Sequence, residues 1–489
     1  MTHLLRGGRL LSGERADVLL RDGTIAAIGE PGGLDAAVAP RTELDGRFLS
    51  PGFWDEHTHF TQVVIQRRRL DLAGARSAAE TLDLVRRELA SGERAAGEVL
   101  VGYGFRDGTW PDAPTKAGID ALASPVPVVL ISGDLHCAWL DAGARARLGI
   151  DTDDSGLARE SAWIHASKNL GEAAVLTPDA FRDAQLAAAR RGVVGIVDFE
   201  IADNLAEWPA RVAGGADLLR VDAAVWPDRL DAAIASGVRT GDALDERGLV
   251  RMGRLKVVVD GSLNTRTALC WDPYPGLDPA DPHSYGVSSV SVDELRDLLV
   301  RARAAGIEAA VHAIGDRANA DVLDVFAELG MRGVVEHAQL VAERDFARFA
   351  ELGVVASVQP EHAMDDRDVA DRYWHGRTGR AFAYGSLHAA GATLRLGSDA
   401  PVATLDPFVG LAAATTRARD GREPWHPEQV LPFDVAFAAS TRGRSGIASG
   451  DVADLAILDA DPAAATGEEL RDLPVAATLV GGRFTHRAL

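Results

Sequence analysis

Apolar and polar residues alternate along this chain in two ways, and the difference separates its ends from its middle. Near the N-terminus, Asp17-Val18-Leu19-Leu20-Arg21 leads through Asp22-Gly23 into Thr24-Ile25-Ala26-Ala27-Ile28-Gly29. An Asp-Gly pair between two apolar runs signals a hairpin, because the tight turn needs backbone angles that Asp and Gly tolerate. Near the C-terminus, residues 453–459 read as a strand and residues 477–485 as a second hairpin around Gly481-Gly482. Neither end has enough strands for an independent sheet, so the two are expected to pair into one small β domain.

The middle of the chain reads differently. Eight short apolar runs stand out, at residues 53–57, 193–199, 220–226, 255–259, 308–312, 333–337, 354–359 and 393–397. Helical patterns such as 292–305 and 319–329 separate the later ones. Strands alternating with helices imply parallel βα units, and eight of them imply a closed (β/α)8 TIM barrel. The expected fold is therefore α/β. Residues 51–444 are expected to form the barrel, and residues 1–50 and 445–489 the two parts of the smaller β domain. The first two barrel strands are too far apart for one crossover. Residues 66–180 are expected as an insertion with its own helices and at least one strand, 126–132.

Composition narrows the class. The 489 residues are too many for one simple core, and 47% hydrophobic with 25% charged residues is ordinary for a globular protein. No run approaches the roughly 18 apolar residues of a membrane span. The first residues carry no long apolar export segment. Two cysteines, Cys137 and Cys270, make no disulfide framework, so a reducing cytoplasmic setting is expected. A net charge of −21 argues against nucleic acid or an anionic membrane as partner. A small-molecule substrate remains, handled by the chain alone or as a homo-oligomer.

The chemistry concentrates at the ends of the barrel runs. Pro51-Gly52-Phe53-Trp54-Asp55-Glu56-His57-Thr58-His59 closes the first run on an H-x-H pair. Residues two apart on a strand share a face, so His57 and His59 can share one metal ion. Alone, the pair reads equally well as polar residues closing a strand. Its weight comes from Lys256, His312, His337 and Asp399, each at or near the end of a later run. Lys256, in an otherwise apolar strand, either extends its ammonium to solvent or takes up CO2. The resulting carbamate is an anion able to bridge two metal ions, whereas a bare ammonium inside a barrel mouth would need a partner. His312 and His337 close consecutive strands. One such histidine is commonly structural, two are harder to explain that way, and neutral imidazoles suit zinc and related metals. Gly397-Ser398-Asp399 is either a turn or, opposite the H-x-H, a metal-bound carboxylate. Such a group can take a proton from the nucleophilic water and pass it to the leaving amine.

Taken together, these residues resemble the amidohydrolase superfamily, and within it the YtcJ-like branch, amidohydrolase family 3. The branch is suggested by Leu255-Lys256-Val257-Val258-Val259-Asp260-Gly261-Ser262-Leu263, His312-Ala313-Ile314-Gly315-Asp316-Arg317-Ala318, Glu336-His337-Ala338-Gln339 and Ser449-Gly450-Asp451-Val452-Ala453-Asp454-Leu455. The resemblance spans nearly the whole chain. It implies a barrel with a sandwich from both termini and two divalent metal ions, zinc foremost, held by His57, His59, Lys256 as a carbamate, His312, His337 and Asp399. It also implies hydrolysis of a C–N bond other than a peptide bond, in an N-acyl, N-formyl or cyclic amide. Arg266, Arg317 and His136, with Asp134 and Glu160, lie in stretches similar to family motifs near the site. His136 is the first candidate for substrate contact because Cys137-Ala138-Trp139-Leu140 gives it an apolar setting. For the others, solvated surface pairs are the commoner outcome. Trp54, Trp110 and Trp139 suggest a bulky or aromatic substrate group. Two alternatives stand beside this reading: a one-metal deaminase of a cyclic amidine, and a metal-free barrel kept for interactions. Metal content separates the three.

Overall fold

The computed structural model describes residues 2–34, 40–91, 97–105, 107, 110–132, 137–159, 162–163, 166, 170 and 176–489. The chain packs into two compact units, Met1–Phe60 with Arg182–Leu489, and Thr61–Phe181.

In the first unit, eight parallel strands run in sequence order: Phe53–Thr58, Val193–Asp198, Arg220–Val225, Val250–Val258, Ala309–Ala313, Val334–His337, Val355–Val358 and Thr393–Leu396. Each lies within a few residues of its predicted run; the first is one residue longer, and the fourth begins five residues early. These strands are legible because a parallel barrel buries both faces, which leaves near-continuous apolar runs. Every residue of Val193–Asp198 and Val334–His337 is buried. Helices separate the strands, for example Val292–Ala304, opened by a capping box in which Ser291 and Glu294 satisfy each other's backbone N–H groups. The seam between the last and first strands closes just beyond their ends. There Asp399 N–H donates to His57 O at 2.7 Å, and His59 N–H donates to Ala400 O at 2.8 Å.

The two chain ends share one mixed sheet. Its order is Arg483–Arg487, Val475–Val480, Leu455–Leu458, Phe48–Pro51, Thr2–Leu10, Arg15–Arg21 and Thr24–Gly29, with Arg41–Glu43 also paired to Thr2–Leu10. Leu455–Leu458 runs antiparallel to Phe48–Pro51 and joins the C-terminal strands to the N-terminal ones. The sheet curls until Thr24 bridges Val452. It encloses a core of its own in which Leu5, Val18, Leu20 and Leu49 pack with Leu455, Ile457 and Leu479.

The second unit holds more structure than its sequence advertises. Around the expected strand, observed at Val128–Ser132, it forms a five-stranded sheet with Leu157–Arg159, Cys137–Leu140, Leu100–Phe105 and Leu70–Asp71. Among the described residues, no helix is long and apolar enough to cross a membrane.

Candidate metal centre

The C-terminal ends of six barrel strands, with the fourth strand's Lys256, bring one group of side chains together. Two close approaches make this possible. Gly397 lies so near the first strand that a Cβ there would sit 2.7 Å from His57 N, so only glycine lets the eighth strand reach this seam. Asp55 then ties the seam, its Oδ1 accepting from Ser398 N–H at 2.9 Å and His57 N–H at 3.1 Å. His337 and Asp399 hold left-handed backbones, with φ of 77° and 57°. That conformation costs roughly 1–3 kcal/mol at a non-glycine residue and persists only where surroundings over-determine it.

The side chains converge. His57 Nε2 lies 3.5 Å and His59 Nε2 3.3 Å from Asp399 Oδ1. Lys256 Nζ lies 3.3 Å from His57 Nε2 and 4.2 Å from the centre of the Phe199 ring. The His337 ring centroid is 4.8 Å from that of His57 and 4.4 Å from that of His312. The ligand atoms of His57, His59 and Asp399 all lie within 4.8 Å of one another, and so do those of His337, His362 and Asp399.

Hydrogen bonds on the far side of each ring fix its tautomer. Glu336 Oε2 is 2.8 Å from His57 Nδ1, and Gln359 Oε1 is 2.9 Å from His337 Nδ1. Both oxygens accept, so both Nδ1 atoms carry the proton and both Nε2 lone pairs face inward. His312 is turned the other way, its Nε2 donating to Gly261 O at 3.3 Å, which leaves Nδ1 as the basic nitrogen.

Burial sets the charges. It drives His57 and His337 well below the ordinary histidine range and His312 to about 3, helped by neighbouring cationic groups. These three imidazoles are neutral. Burial opposes the charge on His59 too, but the hydrogen bond and charge of Asp399 outweigh it and raise the group. Burial would raise Asp399, yet the hydrogen bond and charge of His59, with the charge of Lys256, hold it below the usual carboxylate value. Burial lowers Lys256 to about 8 against the pull of Glu336 and Asp399, and raises Glu336 to about 7.

This donor set fits a divalent metal. Neutral imidazoles with inward lone pairs and an ionised carboxylate are the ligands such ions take, and the second hydrogen bond on each ring is the usual support of a metal-binding histidine. Lys256 already presents a cationic N–H to the His57 lone pair, the place a metal would claim.

All six residues predicted as ligands meet here. The two candidate arginines do not. Arg266 is exposed, with its guanidinium 5.5 Å from the Tyr373 ring. Arg317 lies 5.4 Å from the Trp271 ring and pairs with Asp321 at 3.9 Å. His136, Asp134 and Glu160 lie outside the described residues. The tryptophans serve packing: Trp54 lies 3.3 Å beneath the Arg442 guanidinium, and Trp110 and Trp139 belong to the core of the second unit. Sequence reasoning left Glu336, Gln359 and His362 without roles. His362 follows the seventh strand by only four residues, so the rule that barrels carry reactive groups at strand C-termini could have found it.

The comparisons with known proteins agree with this geometry. The model of the Amidohydrolase family matches residues 42–486. The putative amidohydrolase YtcJ of Bacillus subtilis (strain 168) is 28% identical over 528 residues, covering 98% of this chain and 97% of that protein. The N-substituted formamide deformylase of Arthrobacter pascens is 26% identical over 524 residues, covering 95% and 94%. A solved structure of an uncharacterised metal-dependent hydrolase from Pyrococcus horikoshii OT3 superposes with a TM-score of 0.79 at 24% identity, over 96% of this chain and 99% of that one. With a family model matching most of its length, a TIM barrel and histidines gathered at its strand ends, this chain belongs to the amidohydrolase family.

Proposed function

We propose that this enzyme hydrolyses the C–N bond of an N-substituted formamide or a closely related small amide. Two divalent metal ions, zinc foremost, would be held by His57, His59, His312, His337, Asp399 and a carbamate on Lys256. The observation that carries this reading is the convergence of four histidines on Lys256 and Asp399, three of them neutral and two with inward Nε2 lone pairs fixed by Glu336 and Gln359. The likeness to the Arthrobacter pascens formamide deformylase along nearly the whole chain supports the substrate class.

When bound, the metal ions polarise the substrate carbonyl and bring the pKa of water towards neutrality. The chain's own residues do the rest. Glu336 and Gln359 hold their histidines in one tautomer and orientation. Lys256, lowered to about 8, keeps a fraction of free amine near neutral pH that can add to CO2 and become an anion. Asp399 is ionised and lies between His59 and His362, where it accepts the proton of the attacking water. Water oxygen bonds to the carbonyl carbon, the C–N bond breaks, and Asp399 returns the proton to the departing nitrogen. A formamide would give formate and an amine.

The test is turnover of N-benzylformamide by protein reconstituted with zinc, beside N-acetyl, cyclic amide and cyclic amidine substrates, with amine release as readout. Fastest turnover of the formamide supports the reading. Preference for the amidine, with one metal per chain, would replace it by deamination.

A further inference from the structure

Among the described residues, His362 is the one histidine at the centre that the six-residue ligand set does not use. It sits in the first turn of the Pro360–Tyr373 helix, directly after the seventh barrel strand, and is 5% exposed. The helix start is clamped by its neighbour Glu361, whose carboxylate accepts from Arg419 at 2.6 Å and Arg471 at 3.0 Å. The ring stacks parallel to His337, with centroids 6.3 Å apart and planes at 12°.

The hydrogen bonding of His362 is one-sided. Gln339 Nε2 donates to His362 Nδ1 at 3.4 Å, which places the N–H of the ring on Nε2. That Nε2 is buried and has no hydrogen-bond partner. Its nearest acceptor, Asp399 Oδ2, is 3.9 Å away, beyond hydrogen-bond range. A buried donor without a partner is costly unless something else fills its place during the working cycle.

We infer that His362 is a catalytic residue whose Nε2–H donates to the substrate carbonyl oxygen and to the oxyanion formed from it. This rests on the proposed hydrolytic function and adds a residue to it. The geometry follows from Asp399. The water that gives its proton to Asp399 must be hydrogen-bonded to that carboxylate while it attacks the carbonyl carbon beside it, and the carbonyl oxygen is one bond from that carbon. A donor 3.9 Å from Asp399 Oδ2 is within reach of that oxygen. It has no role at the leaving nitrogen, which must receive a proton from Asp399 rather than accept a hydrogen bond early. The helix clamp and the stack on His337 hold the ring before substrate arrives, which is what makes such a donor effective.

The experiment uses the full-length, zinc-loaded protein with His362→Ala and His362→Gln. Gln is chosen because its amide N–H reaches about as far as Nε2. Three quantities are measured: steady-state kinetics on N-benzylformamide, zinc per chain, and the Kd of phenylphosphinate, a tetrahedral oxyanion. Loss of one such donor costs ~10²–10³-fold in kcat. His362→Ala should show that loss with KM changed far less, bind phenylphosphinate at least about tenfold more weakly and keep its zinc. His362→Gln should recover a substantial part of both losses. Near-normal kcat in His362→Ala, or loss of a zinc equivalent marking His362 as a ligand, would overturn the inference. If wild type leaves the formamide intact, the substrate class fails, and phenylphosphinate affinity still decides the role of His362. If His362→Ala does not fold, equal affinity in folded His362→Phe and wild type overturns it.

Discussion

Glu336 Oε2 lies 2.8 Å from His57 Nδ1, with both side chains almost wholly buried on the sixth and first strands of the barrel. The contact fixes which nitrogen of His57 faces the centre. Glu336→Gln can still touch Nδ1 but loses the anion that raises the basicity of the ring. Removing such a supporting carboxylate typically weakens metal binding ~10–100-fold. Competition with a chelating dye should show that loss. Unchanged affinity in the variant would mean that the strand packing alone orients His57.

Stripping the protein with a chelator and restoring zinc should give about two equivalents per chain, the count for a two-metal hydrolytic site. Elemental analysis after gel filtration reads it directly. One equivalent would leave a single-metal centre, and none would remove the proposed chemistry.

Lys256→Ala should abolish turnover, and short carboxylic acids such as acetate or propionate should restore part of it. The reason is local: Nζ sits 3.3 Å from His57 Nε2, so an uncharged or anionic group is needed there before a cation can bind. Full activity in the untreated variant would refute a bridging anion.

Asp399→Asn keeps the shape of the side chain but cannot take a proton from water. General acid–base transfer is worth ~10²–10⁴ in rate, and kcat should fall by at least the lower figure. Substrate binding should weaken less than turnover, and the melting temperature should change little. If both metals and near-normal kcat survive, another group carries the proton.

Deleting residues 455–489 removes Leu455–Leu458, the strand between Phe48–Pro51 and Val475–Val480. It exposes Leu5, Leu20 and Leu49, whose partners Ile457 and Leu479 are gone. An open apolar edge of this kind aggregates. Insoluble protein is expected on expression. A soluble and active truncation would show that the N-terminal strands close their sheet without the C-terminal ones.

The barrel was legible because its strands are buried on both faces, and runs such as Ala309–Ala313 carry that in their composition. The H-x-H, Lys256, His312, His337 and Asp399 were legible because each sits beside such a run. What the sequence hid is short or conformational. Leu70–Asp71 and Leu157–Arg159 are too brief to show a period, so most of the second unit's sheet was missed. The left-handed backbone at His337 and Asp399 has only a weak signal in residue type: neither is glycine, and Asp and His adopt that conformation more often than other residues but still uncommonly. His362 was hidden for another reason: it lies on a helix rather than at the tip of a strand.

The seam where Asp399 N–H meets His57 O joins the first barrel strand to the last, with the whole second unit and six other barrel strands between them in sequence. During synthesis, His57 and His59 leave the ribosome long before Asp399 exists. No nascent fragment lacking Asp399 can therefore bring the six proposed ligands together, and metal loading at them would be a late event in the life of the chain. The C-terminal strands emerge later still and pair with strands made first. The order of translation thus keeps an unfinished chain from acting as a hydrolase.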